Sequence, residues 1–121
     1  MKTIPTILAL SLLLTACGRH DAQLRKQITG TWADDRPGSL GTMTLASDGS
    51  FSSRWRTPNH TNTWEGTWQI SDGVLIMTNT KSNDVPITTI SHDKNKIIRV
   101  DDHVLTCEID YLGNQTISYH R

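Results

Sequence analysis

The sequence predicts an all-β fold, an antiparallel meander of about eight or nine strands. From Gly30 onward, short segments alternate apolar and polar residues with a period of two, which is typical of strands with one buried face. Turn-forming residues separate these segments at intervals of roughly 8 to 12, the usual spacing of consecutive hairpins. The 121 residues leave room for one such domain.

The first 16 residues predict a signal peptide. The apolar run over residues 7–14 is too short to cross about 30 Å of hydrocarbon, which takes about 20 residues. The tetrapeptide Leu14-Thr15-Ala16-Cys17 resembles the bacterial lipobox at every position. The alternative is a soluble secreted protein cut by ordinary signal peptidase, but that cut would place bulky Leu14 where a small residue is preferred.

The lipobox resemblance implies that Cys17 is lipidated and becomes the first residue of the mature chain. In such lipoproteins several acyl chains give stable anchoring where a single chain is marginal. The membrane is therefore an expected partner, through the lipid on Cys17. Because residue 18 is Gly and not Asp, the resemblance further implies the outer membrane, facing the periplasm, if the source is Gram-negative.

Three segments follow from this interpretation: a signal peptide over 1–16, a lipidated tether over 17–28 and a β domain over 29–121. In the tether, Leu24 and Ile28 stand four residues apart, so we expect one or two helical turns laid on the domain, with a docking helix as the alternative. Once lipid occupies Cys17, Cys107 has no partner in the chain and is expected to be a buried free thiol.

Alternation places Trp55, Trp64 and Trp68 on the inward face of strands at 51–57 and 63–70. A two-residue turn at Asp72-Gly73 would keep the inward faces of its two strands in register, while the turn around Gly49 needs three residues to do so. Further strands are predicted over residues 85–91, 96–100, 103–110 and 115–120.

The motif Gly-Thr-Trp occurs at residues 30–32 and 66–68. The first copy is followed by Ser-Asp-Gly at residues 47–49 and the second by Ser-Asp-Gly at residues 71–73. Two residues after each of these glycines stands an apolar residue, Phe51 and Leu75, respectively. This order resembles small bacterial lipocalin-like domains and implies a closed or nearly closed barrel, with an open sandwich as the alternative. The resemblance places Trp32 across one barrel end under a basic residue from a late strand, with Arg99 and Arg121 as candidates. The domain, at about 90 residues, is shorter than a full lipocalin, which puts the size of its cavity in doubt.

The candidate ligand-binding residues are the four tryptophans, Trp32, Trp55, Trp64 and Trp68. They could line an apolar pocket or fill the core. No catalytic motif, phosphate-binding glycine loop or metal-ligand spacing is present, so we expect no enzyme activity, no metal and no cofactor. Twelve basic and twelve acidic residues balance, which argues against nucleic acid as a partner.

Two functions remain open at this point. The first is a lipid-anchored cell-envelope protein whose barrel binds a small apolar or amphipathic ligand. The second is an envelope interaction module, such as an inhibitor or accessory subunit, with no ligand cavity. A connected cavity of roughly 300 Å³ or more would favour the first, and a solid interior with an exposed apolar patch would favour the second.

Overall fold

The computed structural model describes residues 18–34, 40–110 and 113–121, and these form a closed antiparallel barrel behind one short helix. Eight strands follow each other around the barrel in chain order, so the predicted meander is confirmed and the barrel is closed. The helix, α1, covers residues 18–28. The strands are β1 Gly30–Asp34, β2 Leu40–Leu45, β3 Ser50–Arg56, β4 Thr61–Ser71, β5 Val74–Ser82, β6 Val85–Val100, β7 Val104–Ile109 and β8 Gln115–His120.

The predicted hairpin turns and registers are confirmed. Asp72 and Gly73 both have positive φ, at 51° and 75°, as the two-residue turn between β4 and β5 requires. Across the turn between β2 and β3, Leu45 pairs with Phe51, and Gly49 takes a φ of 93° that a residue with a Cβ rarely adopts. Each turn thus sets which side chains face inward.

One strand assignment was wrong: residues 92–95 do not separate two strands. They lie within β6, which runs for 16 residues. The polar sequence His-Asp-Lys-Asn has turn-like composition, but these residues pair with Leu75 to Thr78 of β5 along an unbroken ladder. The backbone hydrogen bonds that these four residues form with β5 stabilise the strand more than their weak β propensity disfavours it.

Helix α1 lies across one end of the barrel, which we call the closed end. The helix is longer than the one or two turns expected, and both Leu24 and Ile28 are buried against the domain. The carboxylate of Asp21 accepts hydrogen bonds from the backbone N–H groups of Asp72 and Gly73, both at 3.0 Å. The helix is therefore fixed to the β4–β5 turn by polar contacts and to the core by its apolar side chains.

The two Gly-Thr-Trp motifs place their indoles at the closed end in the same kind of surroundings. The Trp32 Nε1–H donates to the Ile28 carbonyl and the Trp68 Nε1–H to the Ala46 carbonyl, each at 2.8 Å. A guanidinium covers each ring face, with the Arg121 Cζ 4.1 Å and the Arg25 Cζ 4.3 Å from the ring centres of Trp32 and Trp68, respectively.

Of the two candidate partners of Trp32, the structure selects Arg121. Its guanidinium also donates to the carbonyls of Gln27 and Thr29, and so joins α1 to the end of the chain. Arg99 instead forms an exposed ion pair with Asp101 at 3.1 Å. Among the described residues, β1 and β8 pair at two positions, so the contact of Arg121 with the Trp32 indole stabilises the barrel at the shortest of the described ladders.

The core fills the closed end and the middle of the barrel. It contains Trp32 and Trp68 and the inward residues of β7, Leu105, Cys107 and Ile109. Cys107 is a free thiol and is 1% exposed, as predicted. Burial raises the pKa of this thiol to about 12, because the apolar surroundings disfavour the thiolate.

Candidate functional site

The interior is not filled throughout: a cavity of about 320 Å³ occupies the other end of the barrel. We call this the open end; it carries the β3–β4 connection over residues 57–60 and the β5–β6 turn at Asn83 and Asp84. Most of the wall comes from the first half of β2, the whole length of β3 and the facing parts of β4 to β6. The lining residues are Gly41, Thr42, Met43, Phe51, Ser53, Trp55, Trp64, Met77, Asn79, Ser91, Asp93 and Tyr119.

The floor of the cavity is formed by side chains that belong to the core. Met43, Phe51 and Tyr119 are each 5–6% exposed, so they separate the cavity from the closed end. Below them, the interior is packed around Trp68, Leu75 and Leu105. The barrel therefore has one packed half and one hollow half.

Trp55 forms one aromatic wall because its strand neighbour is a glycine. Gly41 pairs with Trp55 across β2 and β3, and a Cβ at Gly41 would lie only 2.6 Å from the indole Cε3. The ring therefore covers the glycine backbone directly, and the half-buried indole presents its remaining surface to the cavity. Any larger residue at position 41 would push this wall inward or outward.

Trp64 stands at the edge of the cavity and is 37% exposed, whereas Trp68 on the same strand is 3% exposed. The difference follows from position along β4, since Trp64 lies near its start at the open end and Trp68 near its end at the closed end. Between them Gly66 allows close packing, because a Cβ there would collide with the Thr78 carbonyl and crowd the Phe51 ring. The extra residue Thr80 on β5 marks a β-bulge at this point.

A polar group faces the aromatic walls from β5 and β6. The Asn79 side chain is buried, and its Nδ2 donates to the Ser91 Oγ at 3.1 Å and to the Asp93 Oδ2 at 3.0 Å. Two residues beyond Asp93 toward the closed end, the buried Asn95 Nδ2 donates to the Leu75 carbonyl at 3.3 Å. The cavity thus combines apolar and aromatic surface with a fixed carboxylate.

The four predicted tryptophans divide into two pairs. Trp55 and Trp64 line the cavity, whereas Trp32 and Trp68 are core residues of the closed end and do not line it. Cys17, the predicted lipidation site, lies outside the described residues.

Sequence reasoning missed the polar residues Asn79, Ser91 and Asp93. A signal was present in β5, where alternation places Asn79 on the same face as Leu75 and Met77. No such signal was available for Asp93, because residues 92–95 were left between the strands predicted over 85–91 and 96–100.

No helix in the described part of the chain is long and apolar enough to cross a membrane. Nor do residues 18–34, 40–110 and 113–121 bring together three His, Cys, Asp or Glu side chains that could hold a metal ion. No protein-family model matches the chain, and no curated protein matches it. The site is therefore interpreted from its own geometry.

Proposed function

We propose that the protein is a lipid-anchored cell-envelope lipoprotein whose barrel binds a small apolar or amphipathic ligand in the cavity at the open end. The observation that carries the binding function is the cavity itself, about 320 Å³ in volume and walled by Trp55, Trp64, Phe51 and two methionines. This volume is at the lower end of the range of about 300–1,000 Å³ for small-molecule sites. The expected ligand is therefore small.

The distribution of packing supports the same function. A barrel that served only as a scaffold gains stability by filling its interior, since each unfilled volume forgoes dispersion contacts. Here the closed end has a dense core and two indoles covered by arginines, while the open end leaves Trp55 half-buried and Trp64 more than one-third exposed. The hollow half forgoes stability that a ligand could restore.

Helix α1 and the cavity lie at opposite ends of the barrel. Asp21 of this helix contacts the β4–β5 turn at the closed end, and Cys17 comes just before Gly18 in the sequence. At 1.5 Å per helical residue, Gly18 lies about 5 Å along the helix from Asp21. A lipid on Cys17 would therefore hold the closed end near the membrane and direct the cavity toward the aqueous compartment, so we expect the ligand to arrive from solution.

An envelope interaction module is the second candidate. Leu40, Val85 and Ile90 are each more than 60% exposed, and large apolar side chains on a barrel surface are typical contact residues. This function needs no cavity, so a ligand titration distinguishes the two candidates.

The test is a titration of the full-length protein with 3-phenylpropan-1-ol, a small neutral amphipathic probe, followed by intrinsic tryptophan fluorescence. Ligand in the cavity contacts Trp55 and Trp64, so we expect a saturable change in emission. Ser53→Phe should abolish saturable binding, because Ser53 lines the cavity and a phenyl ring there would fill it.

The matched control is Ser52→Phe. Ser52 is the neighbouring residue of β3, is exposed and does not line the cavity, so this variant should bind the probe as the parent does. An absence of saturable binding in the parent protein, or equal binding by both variants, would exclude the cavity function and leave the interaction module as the better account.

A further inference from the structure

The carboxylate of Asp93 sits on the inner face of the cavity because of the ladder between β5 and β6. Asn79 pairs with Ser91, Met77 with Asp93 and Leu75 with Asn95. Paired residues share a face of the sheet, so the inward position of Leu75 fixes Asp93 and Asn95 inward as well. An ionisable side chain in a protein interior usually has a polar partner, and the partner of Asp93 is Asn79.

Asn79 orients this carboxylate. Its amide nitrogen has two hydrogens, and they are directed at the Ser91 Oγ and the Asp93 Oδ2. The second carboxylate oxygen of Asp93, Oδ1, has no hydrogen-bond partner among the described residues. Every buried side-chain oxygen and nitrogen of those residues does have a partner, so Oδ1 is not buried. Because Asp93 lines the cavity, Oδ1 is accessible from it. An ionised carboxylate only accepts hydrogen bonds, so a ligand that engages it must donate one.

The charge of the cavity lining also favours a ligand that donates a hydrogen bond to Asp93. The described residues that line the cavity include Asp93 but no lysine, arginine or histidine. The neighbours of Asp93 on β6, His92 and Lys94, alternate to the outer face, where the His92 Nδ1 lies 2.9 Å from the Thr78 Oγ1. The lining thus favours a cation over an anion, and a hydrogen bond from a charged donor to a carboxylate is about twice as strong as one between neutral groups.

The aromatic walls accept a cation too. Trp55, Trp64 and Tyr119 line the same cavity, and the faces of aromatic rings attract ammonium groups while offering apolar contact to a hydrocarbon body. An anionic amphiphile such as a fatty acid would place its carboxylate in a cavity that already contains one.

We propose that the cavity selects amphipathic organic cations, with a protonated amine at Asp93 and the apolar body against Trp55 and Trp64. This inference rests on the proposed ligand-binding function and adds the charge of the ligand.

The experiment compares three probes of matched shape on the full-length protein at neutral pH: 3-phenylpropylamine, 3-phenylpropan-1-ol and 3-phenylpropanoate. Tryptophan fluorescence gives each Kd. We expect the amine to bind about tenfold more tightly than the alcohol, since a charged donor forms a stronger hydrogen bond to a carboxylate than a neutral donor does, and we expect the acid to bind most weakly.

Asp93→Asn should weaken amine binding by about tenfold and leave alcohol binding unchanged, which also shows that the variant is folded. Asp84→Asn is the control: Asp84 lies in the β5–β6 turn at the same end, with a φ of 64° that asparagine tolerates, and it does not line the cavity. That variant should retain the preference for the amine.

The outcomes separate the two proposals. If none of the three probes binds, the ligand-binding function itself is wrong. If the alcohol and the acid bind as tightly as the amine, the cavity is a ligand site but the selection of cations is refuted. The ranking in the parent protein decides this even if Asp93→Asn does not fold.

Discussion

Replacing Trp68 by alanine should remove a large part of the stability of the barrel. This side chain is 3% exposed, its Nε1–H bonds to the Ala46 carbonyl at 2.8 Å, and the Arg25 guanidinium lies over its ring. A buried indole removes about 150–250 Å² from water, which at about 25 cal/mol per Å² is ~4 to 6 kcal/mol. Alanine retains a small part of that area, while the new cavity and the loss of the indole hydrogen bond add cost, so we expect a loss of about 4 to 5 kcal/mol in the free energy of unfolding.

The matched substitution, Trp64→Ala, should cost much less. Trp64 lies on the same strand and faces the same side, but it is 37% exposed and lines a cavity that is already open. Trp64 buries only about two-thirds as much of its surface as Trp68, and its truncation creates no new enclosed void. We expect a loss of about 2 to 3 kcal/mol, which is ~2 kcal/mol less than at Trp68.

Urea unfolding of both variants, followed by circular dichroism, measures the difference. With a denaturant slope of about 1 to 3 kcal/mol/M, the two midpoints should differ by about 1 M or more. If Trp68→Ala is unfolded without denaturant, Trp68→Phe keeps an aromatic ring and loses the hydrogen bond, and is compared with Trp64→Phe. Equal destabilisation by the two substitutions would mean that the open end is packed as tightly as the closed end, and would refute the hollow-half description.

Three further predictions concern the anchor, the thiol and the closed end. Cys17→Ser should leave an uncleaved, unlipidated precursor detectable by mass spectrometry, and normal cleavage with release as soluble protein would refute the lipobox assignment. Cys107 should react slowly with an alkylating reagent in the native state. Because its folded pKa is raised from 9.0 to about 12, its contribution to stability is complete below pH 9 and is lost as pH rises toward 12; Cys107→Ala should remove this part of the pH dependence, and rapid native labelling would contradict the assignment. Arg121→Ala should lower the unfolding free energy by about 1 to 2 kcal/mol, through loss of the contact with Trp32 and of the hydrogen bonds to α1. Arg99→Ala, which removes only an exposed ion pair, should change it by less than ~0.5 kcal/mol, and equal effects would contradict the role of Arg121.

The fold was predictable from local patterns because a meander is built from neighbours in sequence. Turn residues such as Asp72 and Gly73 set the register, and alternation then assigned the faces of β4 and β5. The prediction failed at residues 92–95, where the local composition indicated a turn and the partner strand β5 required a ladder. The composition of residues 92–95 does not reveal that residues 75–78 of β5 lie opposite them and pair with them.

The site was less predictable than the fold. Alternation places Trp64 and Trp68 on one face but does not tell which end of the barrel is filled. That depends on α1, since Ile28 and Arg25 pack at the closed end and no matching element among the described residues covers the cavity. Asp93 faces the cavity only because β6 is continuous through residues 92–95, and this continuity was not predicted from the sequence.

The central claim, that the open end takes a ligand while the closed end is solid, is tested most directly by the four indole N–H signals in a ¹⁵N NMR spectrum. Two indoles line the cavity and two lie in the core, so the protein carries its own reporters for each end. On titration with 3-phenylpropan-1-ol, the signals of Trp55 and Trp64 should shift and saturate together, while those of Trp32 and Trp68 stay in place. Saturating shifts confined to Trp32 and Trp68, or no shift at any of the four, would contradict the account.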